Sequence, residues 1–447
     1  MMVFKSALLA ACLVTLSPGG PGRVACGTPD SLAPKGLAKT SDLPAVDPRA
    51  ATGRPVALLV RVKFPDVNYV ATDLQIARIH DSINAMYASM SGNKFQFTFK
   101  VLPKIIQLPN YGSYYAGNWE EFRNAVYNEM TAQGYYEGTT GDKSYSFYIV
   151  SFDYIGWQYF GLSYYNAELY VQAERTDPVS FNASTTAHEL GHAALKLPHA
   201  SAIEAGSDVF GVPGNVDQNV EYGSTYDIMG WSYSMEAHFN LNYKMRAGWV
   251  DGNEVREVKN TGIYRLYAHD NGLHQGRLLG IRVPSKDSRY AYWIEYRTAQ
   301  AISRGGAEVL FEGFFTNDSP RRLHLLDLTP GSFAEQRDDV NDAVLTPGRQ
   351  FTDKYGTTVF KTLAINTGTW DQNGWVDMQV TIPGSIPVRL AEGENRLGLE
   401  GKAERGRTLT LTGRAIWGPA VPGALIVGPV EGHPSRLVVQ GLDARRP

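Results

Sequence analysis

Apolar and polar positions in the first half of the chain switch between a helical and an alternating period, which predicts helices and strands in turn. Val56 to Phe64 (VALLVRVKF) is apolar nearly throughout, the pattern of a strand buried on both faces. Thr72 and Gln75 form a capping box ahead of Ile76, Ile79, Ile83, Met86 and Met90, whose helical spacing ends at Gly92. Phe95, Phe97 and Phe99 alternate with polar residues as a second strand, and Trp119, Phe122, Val126 and Met130 mark a second helix that stops at Gly134. Ser146 to Phe152 is a third strand. After a loop rich in Gly, Tyr and Trp, Ala167 to Ala173 is a fourth, and Ser184 to Leu197 is a helix with Ser184, Thr185 or Thr186 as its cap. These elements predict an α/β unit with a mixed twisted sheet over residues 55–250.

Beyond Gly248 seven short strand patterns recur between turn residues: GIYRLYAH, RLLGIRVP, YAYWIEYR, AEVLFEGFF, HLLDLTP, TVFKTLAI and WVDMQVTI. They predict an all-β, sandwich-like domain over residues 251–383. From Gly384 the composition shifts to a Gly-rich tail or small β module, residues 384–447, without Tyr or Phe. At the other end, Lys5, the apolar run Ala7 to Leu16 and the breaker Ser17-Pro18-Gly19-Gly20 predict an export signal over residues 1–26, with 27–54 as a linker or short pro-segment. The apolar run is too short to span a bilayer and no later stretch approaches the roughly 20 residues required, so the expected product is a secreted, extracellular monomer with no integral membrane segment. Leu9-Ala10-Ala11-Cys12 resembles a lipoprotein box, an alternative that would anchor the chain.

Charge and cysteine usage narrow the chemistry. In 447 residues, 42 Lys and Arg against 45 Asp and Glu leave a formal charge of -3, so no global field exists to hold nucleic acid. The only cysteines, Cys12 and Cys26, lie within the first 30 residues, which leaves the rest of the chain without disulfides, thiolate metal sites or cysteine nucleophiles.

The stretch Thr186 to Ala200, TAHELGHAALKLPHA, carries the candidate chemistry. His188 and His192 are four residues apart, about 40° around a helix axis, so both imidazoles reach one ion from one face. A zinc ion held by neutral imidazoles keeps a position open for water and lowers its pKa toward about 7, and a neighbouring carboxylate that is not a ligand, here Glu189, takes the proton and passes it to a leaving amine. His199 follows just past the helix breaker Pro198, and Tyr226-Asp227-Ile228-Met229-Gly230 about thirty residues later.

This order resembles the metzincin plan, in which a third histidine completes the zinc site above a tight turn bearing Met. More narrowly, VALLVRVKFPD (56–66), FGLSYYNAELYV (160–171), HELGH, YDIMG and HFNLNYKMRAGWV (238–250), with YWIEYR (292–297) and LLDLTPGS (325–332) more weakly, are similar to the gametolysin family of secreted zinc endopeptidases. The resemblance implies one catalytic zinc on His188, His192 and His199, Glu189 as the catalytic base, Met229 packing beneath, and a protein or peptide substrate. One departure stands out: the pattern HExxHxxGxxH puts the third His six after the second, whereas His199 is seven after His192 with no Gly between. The extra residue is expected to continue the helix before Pro198. A rival third ligand is Glu221 or Glu236. Trp231 occupies the position where some metzincins carry a Tyr, and Tyr233 is a nearby candidate donor.

Substrate is expected to add as a strand along Ala167 to Ala173. Cys26, in Cys-Gly-Thr-Pro-Asp, resembles a cysteine switch, and Asp338, Asp339, Asn341 and Asp342 are a candidate calcium loop. Asn182 and Asn317 head glycosylation sequons. The expected function is hydrolysis of extracellular proteins; the alternatives are the same enzyme with a Glu ligand, or an inactive relative serving adhesion or glycan binding.

Overall fold

The computed structural model describes residues 51–164, 168–173, 182–204, 219–231, 237–270, 276–287, 290–298, 305–314, 321–333, 339–353, 355–368 and 374–385, and the backbone of strands at 24–26, 388–389, 409–411, 429–430 and 433–439. It is a mixed α/β protein with several sheets and few helices. Two compact units divide it, one of residues 1–34, 53–84 and 96–198, the other of 35–52, 85–95 and 199–447. The later boundary falls between Pro198 and His199.

The first unit contains β1 (Val24–Cys26), β2 (Val56–Lys63), most of α1 (Asp73–Ser91), β3 (Thr98–Val101), β4 (Ile106–Gln107), α2 (Gly112–Gly117), α3 (Trp119–Ala132), β5 (Phe147–Phe152), β6 (Tyr159–Ser163), β7 (Glu168–Gln172) and α4 (Ala183–Leu195). Its sheet runs β1-β6-β7-β5-β2-β3, with β4 also on β2; all pairs are parallel except β6 with β7. The continuous apolar run of β2 follows from burial on both faces, with Ala57 to Val60 and Val62 wholly enclosed. Leu58, Val60 and Val62 share a core with Phe122, Val126 and Met130 of α3 and with Phe152 and Tyr170. At the start of α1 the Thr72 amide donates to Gln75 Oε1 (2.9 Å) and the Gln75 amide to Thr72 Oγ1 (3.3 Å), closing the capping box. Phe95 and Phe97 precede β3 instead of opening it, because the Asn84 side chain takes the pairing role: its Oδ1 accepts from Phe97 N (2.8 Å) and its Nδ2 donates to Phe97 O (3.1 Å).

The second unit holds β8 (Ser201–Glu204), β9 (Asn219–Val220), α5 (Leu241–Arg246), β10 (Val255–Glu257), β11 (Gly262–Tyr267), β12 (Gly280–Pro284), β13 (Ala291–Glu295), β14 (Glu308–Phe314), β15 (Arg321–Asp327), β16 (Gln350–Thr352), β17 (Val359–Asn366), β18 (Trp375–Thr381), β19 (Val388–Arg389), β20 (Leu409–Leu411), β21 (Pro429–Val430) and β22 (His433–Val439). One sheet has the order β10-β12-β13-β14-β15-β8-β9 and another β16-β17-β18-β11-β19. Tyr264, Leu266, Phe360, Val376 and Met378 of the second meet Ile281, Val283, Tyr292, Ile294 and Phe311 of the first in one core, a sandwich-like arrangement. All seven predicted strands form. β8, which follows the HELGH segment directly, pairs in parallel with β15, from His324↔Ser201 to Asp327↔Glu204. The tail carries a small sheet, β20-β22-β21. Among the described residues no helix is long and apolar enough to cross a membrane.

Candidate metal centre

Helix α4 begins at Asn182, whose side-chain oxygen accepts from the Thr185 amide (3.1 Å), so the cap is Asn182 and not Ser184, Thr185 or Thr186. The helix packs on β6 and β7, and Thr186 through Ala193 are buried, His188, Glu189 and His192 among them. His192 Nδ1 lies 2.6 Å from the Leu197 carbonyl oxygen. A carbonyl only accepts, so Nδ1 carries the proton and Nε2 presents a lone pair. That Nε2 is 3.1 Å from His188 Nε2. Two imidazoles sharing a tetrahedral ion at the usual bond length of about 2.0–2.1 Å would sit about 3.3 Å apart, so the pair fits a zinc-sized ion.

The missing Gly of the spacing has a structural counterpart. Lys196 caps α4 in the left-handed conformation, φ 57 and ψ 31, with its amide on His192 O and the Leu197 amide on Gly191 O. The helix therefore ends at Leu195 and turns one residue later than a Gly three after His192 would turn it. One more helical position, Leu195, before the left-handed exit at Lys196 therefore takes up the extra residue, as expected.

Beyond that exit, His199 is fully buried. Its Nδ1 faces Glu221 Oε1 at 3.2 Å, its ring lies 4.0 Å from that of Tyr222, and its carbonyl accepts from Tyr243 OH (3.1 Å). Within the continuous stretch 188–199, ligand atoms of His188, His192 and His199 all lie within 4.8 Å of one another, the one group of this kind among the described residues. Glu221, the rival third ligand, has its Oε1 3.2 Å from His199 Nδ1 and is not part of that group. Glu236, Tyr233 and Asp338 lie outside the described residues.

Glu189 is wholly buried on α4, and a Cβ added at Gly161 of β6 would strike its carboxylate. Met229 is buried in the turn 226–230; its amide donates to Asp227 Oδ1 (2.8 Å), and its carbonyl accepts from Ala200 N (2.8 Å). Burial pushes the Asp227 carboxyl up to about 6, against the pull of Arg297.

The expected substrate edge moves. β7 is internal, flanked by β5 and β6, while the strand beyond it is β6, hidden from sequence reading inside the aromatic loop. The outer side of β6 pairs in parallel with β1, Val24 opposite Tyr159 and Cys26 opposite Gly161. In the acidic loop, Asp339 accepts from Gly331 N, Phe333 N and Ser332 Oγ, and Asp342 Oδ1 from Thr329 and Ser332 hydroxyls, so these oxygens brace the loop itself. Sequence reading missed the structural roles of Asn182, Gly161 and Lys196; the Asn-x-Ser-Thr run and the Tyr-Phe-Gly-Leu-Ser run, with its flanking aromatics, were the available signals for the first two.

No model of a known protein family matches the chain, and no curated protein matches it either.

Proposed function

We propose that the chain is a secreted zinc-dependent endopeptidase of metzincin type, related to the gametolysin family, that hydrolyses peptide bonds of extracellular proteins. The observation carrying the reading is the cluster of three buried histidines, with Glu189, also buried, next to His188 on the same helix. His188, His192 and His199 are the residues that would hold the ion. Bound there, zinc would supply a Lewis acid for the scissile carbonyl and for the attacking water. Glu189 would accept the water's proton at its carboxylate and return it to the leaving amine, a role for which removal from bulk water and the backing of β6 fix its position. With the expected export signal, residues 1–26, removed, the side of β6 that Val24–Cys26 occupies would be open to an extended peptide through backbone hydrogen bonds, so selectivity would rest on a few side-chain pockets.

The test is cleavage of casein by the purified chain beside Glu189→Gln and beside a chelator-stripped sample with zinc restored. The expected result is loss of about 10²–10⁴-fold in Glu189→Gln and recovery of the stripped enzyme on adding zinc. Equal inertness of wild type and Glu189→Gln with zinc bound would favour the inactive, ligand-binding alternative.

A further inference from the structure

His199 is held by its backbone as well as its ring. Tyr243 OH donates to its carbonyl (3.1 Å), and the next amide, Ala200 N, donates to Met229 O (2.8 Å). Ser224 N then donates to Ala200 O (3.1 Å) and Trp231 N to Ser224 O (2.9 Å), lacing the turn 226–230 against the His199 segment. Gly230 is pressed so close to Ser224 O that a Cβ would not fit there, which leaves this lacing no slack.

The turn is in turn held from the β-rich part of the unit. Asp227 Oδ2 accepts from Asn240 N and Nδ2, both 2.8 Å, at the start of α5. Arg297, just beyond β13 and fully buried, donates from Nη1 to the Tyr226 carbonyl (2.5 Å). Its charge is met by Glu295 (2.9 Å) and Glu308 (3.2 Å), and Nε faces His269 Nε2 (3.3 Å). Glu295 also accepts the Leu241 amide (2.9 Å) at the head of α5. A guanidinium is suited to this: its planar fork meets two carboxylates and a carbonyl at once in fixed directions, which an ammonium cannot do.

We propose that Arg297 is a positioning residue for the third histidine: it fixes the turn 226–230, and through the Met229–Ala200 hydrogen bond it sets where His199 stands. Tyr243 is the second arm of the same clamp. Residues after Val250 then belong to the metal-binding apparatus rather than to a separable appendage. The inference rests on the proposed function.

The test measures zinc affinity, by competition with a chromophoric chelator, and the visible spectrum of the cobalt-substituted full chain, for wild type, Arg297→Lys, Tyr243→Phe, His199→Ala and the two doubles with His199→Ala. Arg297→Lys keeps the positive charge between Glu295 and Glu308 but loses the fork; Tyr243→Phe keeps the ring and loses only the hydroxyl, so it serves if the lysine variant does not fold. Each is expected to weaken zinc about 10–100-fold, the range for groups that orient ligands, and to shift the cobalt bands toward those of His199→Ala. In the doubles the loss should not exceed that of His199→Ala alone, because both act through that ligand. A lower melting temperature with unchanged zinc affinity and cobalt spectrum, or losses that add to that of His199→Ala, would overturn the proposal. Wild type that binds no zinc would instead overturn the proposed function.

Discussion

Gly161→Ala separates the proposed proton-transfer role of Glu189 from metal binding. The new Cβ would lie 2.8 Å from Glu189 Cδ and 2.9 Å from Cγ, below any normal carbon contact, and closer still to Oε1. The strand is held in place by the pairing of Gly161 with Val171 of β7. The Glu189 side chain must yield, leaving its rotamer at a cost of about 0.5–1.5 kcal/mol in a wholly buried site. A cost of that size lowers the melting temperature by only a few degrees. Misplacing a proton-transfer group by about 1 Å, however, costs on the order of 10²-fold in rate. The assay is kcat and KM on a fluorogenic peptide with zinc content and melting temperature measured on the same preparation. The expected pattern is kcat down about a hundredfold, one zinc per chain retained and a small thermal shift. Unchanged kcat, or loss of zinc together with activity, would refute the reasoning.

Three further outcomes are expected. Lys196→Gly relieves a left-handed side chain, whose ordinary cost is about 1–2 kcal/mol, but gives up the Lys196 Nζ bond to Ala193 O (2.7 Å); it should leave stability equal or up to about 1 kcal/mol higher in denaturant unfolding, with zinc binding intact, whereas Lys196→Val should not. Glu221→Ala should weaken zinc about tenfold by titration, with Glu221→Gln partly restoring it, because an amide oxygen still accepts from His199 Nδ1. Burial lowers the His80 pKa to about 4 from 6.5, so the stability this neutral ring confers is complete above pH 6.5 and is lost as pH falls toward 4. Between pH 7.5 and 5 wild type should lose about 2 kcal/mol more than His80→Gln in urea unfolding.

Long, strongly periodic elements were legible: β2, α1, α3, β5 and the seven strands after Gly248 stand where their patterns predict them. The HELGH helix was legible too, because histidine spacing on a helix is a local property. What the sequence hid is set by partners distant along the chain. β6 is five residues within an aromatic loop, and its pairing with β7 and β1 makes it a strand. Lys196 in a left-handed turn runs against its own propensity, so tertiary packing and not local preference chose that exit. The unit boundary at Pro198 was invisible because β8 is four residues whose partner, β15, lies about 120 positions later.

The stretch between α4 and β8 also sets a limit on insertion and deletion. The helix ends at Leu195 and the strand begins at Ser201, so residues 196–200 must accommodate both the left-handed exit and His199. Along β8, Ala202 packs with Tyr226 and Leu325 while Ile203 packs in the sandwich core. Because strand side chains alternate, adding or removing one residue in 196–200 would turn Ala202 and Ile203 to each other's faces or drag His199 off its station. The seven-residue interval from His192 to His199 is thus tied to the parity of a strand, and drift in this protein's lineage should preserve that interval more strictly than the residues within it.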